Sequence, residues 1–137
     1  MKTLTFYILL AICGPSALNA QELGDYRWQY RILLIMDPNG SPGCEEQLKS
    51  LRRHTEAMQQ RDMLLFVFDG KALLDQHGKK LPIGIREIPS PAFEGVILIG
   101  KDGGVKLKKK FPVSPEFIFE RVDAMPMRRA EVRGSKN

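Results

Sequence analysis

"RILLIMDPNGSPGCEEQLKSL", Arg31 to Leu51, changes character twice along its length. After Arg31 the run to Met36 is apolar without interruption, the pattern of a central strand covered on both faces. "DPNGSPG" is turn chemistry throughout. Ser41 and Pro42 then open a helix: the hydroxyl serves the free amides and the proline presets φ at the first helical position. Glu45 and Glu46 follow, beside the positive end of the helix dipole. Cys44, Leu48, Leu51, Thr55 and Met58 recur at helical steps. They predict one helix to about Gln60, with Cys44 on its inward stripe.

Outward from this stretch, "YRW" before it reads as a lead-in with Trp28 packed on the core. Met63–Phe68 is a second buried strand, closed by Asp69-Gly70. "KALLDQHG" suits a short helix, and "LPIGIREIPSPAFE" an irregular connection. Val96–Ile99 and Val105–Phe111 flank Lys101-Asp102-Gly103-Gly104, a hairpin whose turn glycines tolerate positive φ. Ser114-Pro115-Glu116 starts a last helix with Ile118, Val122 and Met125 on one face. Pro126 is read as its stop, and the chain after Arg129 as a polar, frayed tail.

The order is strand, helix, strand, connection, hairpin, helix. A βαβ unit followed by a ββα unit is the core order of an α/β, thioredoxin-like fold, with its first two strands parallel.

The chain has 137 residues and a formal charge of +5. "MKTLTFYILLAICGPSALNA" has a lysine, a short apolar run, a Gly-Pro break and small residues before Gln21, the layout of a secretory leader cleaved after Ala20. Its apolar run is too short to span a bilayer. Ile12 stands where lipid attachment at Cys13 needs a small residue. The expected organisation is a leader over 1–20, one domain over 21–132 and a disordered tail over 133–137. Export, to a periplasm or the extracellular space, implies an oxidising compartment. Cys44 alone remains after cleavage, so no internal disulfide forms.

Two redox patterns lie over the turn before Cys44. "SPGC" has C-x-x-C spacing with Ser41 in place of the exposed, nucleophilic cysteine. The peroxide-reducing pattern P-x-x-x-[TS]-x-x-C is met at Ser41, but Pro38 is one position too close, and Arg86 is the candidate activator. The adjacent Glu45 and Glu46 disfavour a thiolate. Three readings stay open: a buried structural thiol, a one-cysteine peroxidase or thiol oxidoreductase using Cys44, Ser41 and Arg86, and intermolecular pairing or capping.

The two histidines and the one cysteine left after cleavage make no metal cluster, no phosphate-cradling loop is present, and no cofactor is expected. Basic residues gather late, in "KLKKK" and in Arg121, Arg128, Arg129, Arg133 and Lys136. Strand alternation sends Lys106, Lys108 and Lys110 to one face, with Lys109 marking a sheet edge or bulge. These lysines, with Arg128 and Arg129, form a candidate surface for an anionic envelope component or a protein partner. Nucleic acid is not expected, since no stacking aromatics interleave the lysines.

"FEGVILIGKDGGVKLKKKFPVSP" and "RVDAMPMRR", with "YRWQYRILLI" and "RDMLLFVF" before them, resemble the domain-of-unknown-function family 4174 over roughly Leu23–Val132. That family comprises small exported bacterial proteins, and similar domains recur in sushi-repeat-type animal matrix proteins. The resemblance implies a peroxiredoxin-like variant of the thioredoxin-like fold and no established enzyme activity. It also implies no dependence on a cysteine at the site. By analogy with adhesion and matrix organisation it favours a binding role.

Overall fold

The computed structural model describes residues 22–136. The expected leader and its cleavage after Ala20 lie outside them. The first strand, β1 (Arg31–Met36), is buried at every position, as its unbroken apolar run predicts. The turn delivers α1 (Pro42–Arg52), capped by the Ser41 hydroxyl, which accepts from the Gly43 amide at 3.3 Å.

The predicted single helix to Gln60 is broken at Arg53–His54, and α2 (Thr55–Gln60) follows. No glycine or proline marks the break. His54 Nδ1 lies 3.0 Å from the Ser50 carbonyl, and Thr55 Oγ1 donates to the Arg52 carbonyl at 2.9 Å. Such side-chain bonds compete with the helical ladder. Thr55 is therefore exposed rather than inward, whereas Leu51 and Met58 stay buried.

β2 (Met63–Phe68) pairs parallel with β1, Arg31 opposite Met63. "KALLDQHG" is not a helix: Leu73–Leu74 forms β3, antiparallel to the end of β2. Two aspartates decide this locally. Asp69 accepts from the amides of Lys71 and Ala72, and Asp75 from those of His77 and Lys79. Both are turns of the kind Asp favours over helix. The connection includes a 3-10 turn over Ile85–Glu87.

β4 (Gly95–Ile99) and β5 (Val105–Lys109) form the predicted hairpin, closed by the Gly100 amide on the Gly104 carbonyl and by Gly103 at φ +85°. The sheet order is β3-β2-β1-β4-β5, so β5 is an edge. The ladder slips between Leu98 and Ile99, which sets Leu107 opposite Leu98 but Val105 opposite Ile99. Lys106 is thus the extra residue, and the expected simple alternation is lost. Val105 turns away from the face of Leu107 and is 51% exposed.

α3 (Pro115–Asp123) starts at Ser114, whose hydroxyl accepts from the Phe117 amide at 3.2 Å. Pro126 does not stop the chain's helical course; it is the first residue of α4 (Pro126–Gly134). The segment after Arg129, read as frayed, is helical through residues 133 and 134. Proline fits the beginning of a helix as well as the position after its end, because the missing N–H is unused in the first turn.

Both faces of the sheet are covered. Leu33, Ile35, Leu65 and Leu98 pack with Cys44, Leu51, Met58, Ile118 and Val122 on the helical side. Ile32, Leu34, Phe66, Phe68 and Ile97 pack with Leu73, Ile83 and Ile88 on the other, with Tyr26 and Phe93 against them. Each such aliphatic side chain contributes roughly 2 kcal/mol on burial. Trp28 is not in this core. It is 63% exposed at φ +70°, while Tyr26 packs edge-on against Phe66.

Candidate functional site

The helix start places Cys44 against β1, where it is 6% exposed. Burial pushes its thiol up to about 12, with the Asp37 carboxylate and Glu45 adding to the effect and Arg52 opposing it. A thiol so placed stays protonated at neutral pH and is a poor nucleophile. The Ser41 hydroxyl is engaged in capping, and its amide donates to Asp37. Arg86 is not brought to the cysteine. It sits in the 3-10 turn between Ile83 and Ile88, which pack on the opposite face of the sheet. The redox constellation expected from spacing is therefore not assembled. Among the described residues no His, Cys, Asp or Glu group is disposed to hold a metal ion.

The lysines of β5 separate. Lys106 binds Asp102 at 2.8 Å. Lys108 lies over the Phe93 ring at 4.8 Å, and Lys109 over Phe117 at 4.4 Å, on opposite faces of the edge strand. Lys110 is exposed beyond the strand. Alternation holds from Leu107 to Lys109, with Lys109 on the face of Leu107 and Lys108 on the other, and the bulge at Lys106 breaks it before them.

The C-terminal arginines sit on α4 instead of beyond a helix. Arg128 is turned inward: Nη1 donates to the Gln60 carbonyl at 2.9 Å, and its side chain also meets Asp123 and Glu131. Arg129 and Arg133 are exposed, with no side-chain partner among the described residues. With Asp123, Pro126, Arg128 and Val132 they line an open hollow of about 670 Å³.

Beneath this surface runs a charged clasp. Arg31, fully buried, meets Glu131 of α4 at 3.1 Å and donates to the Arg61 carbonyl at 2.8 Å. Lys101 reaches the same carboxylate at 2.6 Å and Asp62 at 2.9 Å. Arg61 grips Asp123 through two bonds of 3.0 and 2.9 Å. Burial pushes the Glu131 carboxyl up, but the bonds from Lys101 and Arg31 outweigh it and hold it below its ordinary range. Arg61 does the same for Asp123, assisted by Arg128. The clasp joins β1, α2, the hairpin turn, α3 and α4.

Residues 22–131 match the family described as "Domain of unknown function (DUF4174)". This chain belongs to the DUF4174 family. The DUF4174 domain is also similar to coiled-coil domain-containing protein 80 of Danio rerio, at 28% identity over 134 residues. That alignment covers 80% of this chain and 15% of the relative, so the chain spans a small part of that protein's length. No solved structure matches it.

Seven residues of this DUF4174 domain were not legible as site residues in its sequence: Arg31, Arg61, Asp62, Lys101, Asp123, Glu131 and Gln47. All but Gln47 belong to the clasp. Gln47, buried on α1, donates to the Val113 carbonyl and accepts from the Val113 amide, both at 2.7 Å. A polar residue inside a helical apolar stripe signals Gln47, and a charge opening a buried strand signals Arg31. Neither signal names its distant partner.

Proposed function

We propose that this chain is an exported, non-catalytic binding domain of thioredoxin-like architecture, which holds an anionic component of the cell envelope or extracellular space on the arginine face of α4. The observation that carries this reading is the pair Arg129 and Arg133. Both are exposed and without side-chain partners among the described residues, on a helix whose inward charges are already matched. Unpaired guanidiniums are good ligands for carboxylate, sulfate and phosphate groups. Lys110 adds a further exposed cation near the sheet edge, whereas Lys106 and Arg128 are committed to carboxylates.

Three further observations support the reading. The parallel β1–β2 pair beside an antiparallel hairpin is the strand arrangement of a thioredoxin-like core. The raised thiol of Cys44 and the remoteness of Arg86 argue against a peroxidase or thiol oxidoreductase. The leader-like residues 1–20 support export.

The test is co-sedimentation with vesicles containing phosphatidylglycerol, alongside retention on immobilised dextran sulfate, at increasing salt. Exposed charges are screened over ~8 Å near physiological ionic strength, so binding should fall steeply as salt rises. Arg129→Gln combined with Arg133→Gln should weaken binding without moving the melting temperature. The triple Gln change at Lys106, Lys108 and Lys110 should matter less, because those side chains face different ways. Salt-independent binding, or binding that survives the double arginine change, would overturn the proposal.

A further inference from the structure

Across Pro126 from the arginine face lies a second hollow, of about 320 Å³, between the β4–β5 turn and the α3–α4 junction. The two hollows have only Pro126 in common among their lining residues. We infer that this second hollow binds a small organic monocarboxylate, an acid group on a compact hydrocarbon body. This goes beyond the polyanion face of α4 and does not depend on it.

Four cations line the hollow: Arg31, Lys101, Lys106 and Arg121. Three are already answered in part. Lys106 holds Asp102, while Arg31 and Lys101 share Glu131 and Lys101 also holds Asp62. Arg121 is exposed and has no side-chain partner among the described residues. Of the four, Arg121 is the cation that no carboxylate among the described residues answers, so one positive charge at the hollow is open. A monoanion balances it, and a phosphate dianion overshoots it.

A second observation concerns Arg31, one of the residues that line the hollow. Arg31 is fully buried, its terminal nitrogens are engaged, and its Nε is the buried side-chain polar atom left without an acceptor among the described residues. Buried donors are rarely left so, and each instance calls for a partner or a role. The planar fork of Arg121 matches a carboxylate, which it can hold through two parallel bonds. The remaining wall is Gly100, Asp102, whose carboxylate is held by Lys106, and the segment 124–127, with Met125 and Met127, the latter 39% exposed. Thioether side chains adapt to hydrocarbon of irregular shape. A hollow that is charged at one end and apolar along one side fits an acid with a tail. It suits neither a bare anion nor a neutral oil.

The experiment is a titration of isotope-labelled protein with octanoate, followed through the NMR amide signals of Gly100, Lys101, Ala124 and Met127. Octanol and acetate are the comparison probes, one lacking the charge and the other the tail. Octanoate should give saturating shifts at these amides, with affinity about tenfold or more above octanol, the worth of one charge-assisted contact, and about tenfold or more above acetate, which has no hydrocarbon to bury. Arg121→Gln should weaken octanoate by a similar factor and leave the melting temperature unchanged, since Arg121 is exposed. Arg129→Gln with Arg133→Gln should leave octanoate binding intact, which separates this site from the polyanion face. The inference is overturned if no saturating shifts occur, if octanol binds as tightly as octanoate, or if Arg121→Gln changes nothing.

Discussion

Arg31 and Glu131 are a hundred positions apart in sequence, yet they make the contact on which the chain's C-terminal helix rests. Removing one partner of a buried pair leaves a charge without compensation, which costs far more than the intact pair contributes. Glu131→Gln should destabilise the protein by about 2 kcal/mol, less than for a fully buried pair because Glu131 retains some solvent contact. Replacing both Arg31 and Glu131 by Leu should recover part of that loss, which chemical denaturation of the two variants beside the unaltered protein would show. The pH dependence has a definite sign. The folded Glu131 carboxyl lies below its ordinary value of 4.5, so its contribution is complete above that pH. It is lost as pH falls through the lower folded value, and Glu131→Gln should flatten this acid limb. A loss that persists unchanged in the variant would assign the acid sensitivity to other carboxylates.

Elements differ in how far they can be read from their own residues. The strands and the hairpin were legible because unbroken apolar runs and a Lys-Asp-Gly-Gly turn carry their information locally. The start of α3 was legible for the same reason, with Ser114 and Pro115 side by side. β3 was not: two residues hold no period, and Leu73–Leu74 is a strand only because β2 lies beside it. α4 was hidden by Pro126, whose chemistry serves a helix's beginning and the position past its end equally well. Of the candidate site, the inward place of Cys44 was visible in helical spacing. Strand alternation likewise made visible the placing of Lys109 opposite Lys108, whereas the separation of Lys106 from Lys108 was not legible, because a bulge determines it. Gln47 shows how elements are tied where no strand or helix runs. Its two bonds to Val113 fix the segment before α3 to α1. Gln47→Leu should therefore cost about 2 kcal/mol, since it strands a buried amide and a carbonyl together. Amide hydrogen exchange should show Val113 losing protection first. Unchanged protection there would mean that water replaces the side chain without loss.

At the scale of the whole molecule, the sheet is sealed on both faces and polar chemistry is pushed to the end where α3, α4 and the hairpin turn meet. Cys44, in the first turn of α1, is on the helical face with Leu33 and Ile35 of β1, and the arginines without side-chain partners among the described residues are at the open end. The cysteine is a core residue, and the recognition proposed for this domain falls to the cationic corner. The reaction of Cys44 with a small alkylating reagent near neutral pH, followed across low concentrations of denaturant, tests that division most directly. A core thiol is reached only when the fold opens, so labelling should be slow in water and should accelerate with the denaturant slope of global unfolding. Prior exposure to hydrogen peroxide should not block it. Rapid labelling of the native protein that is insensitive to denaturant and abolished by peroxide would show an accessible thiolate, and would contradict the account.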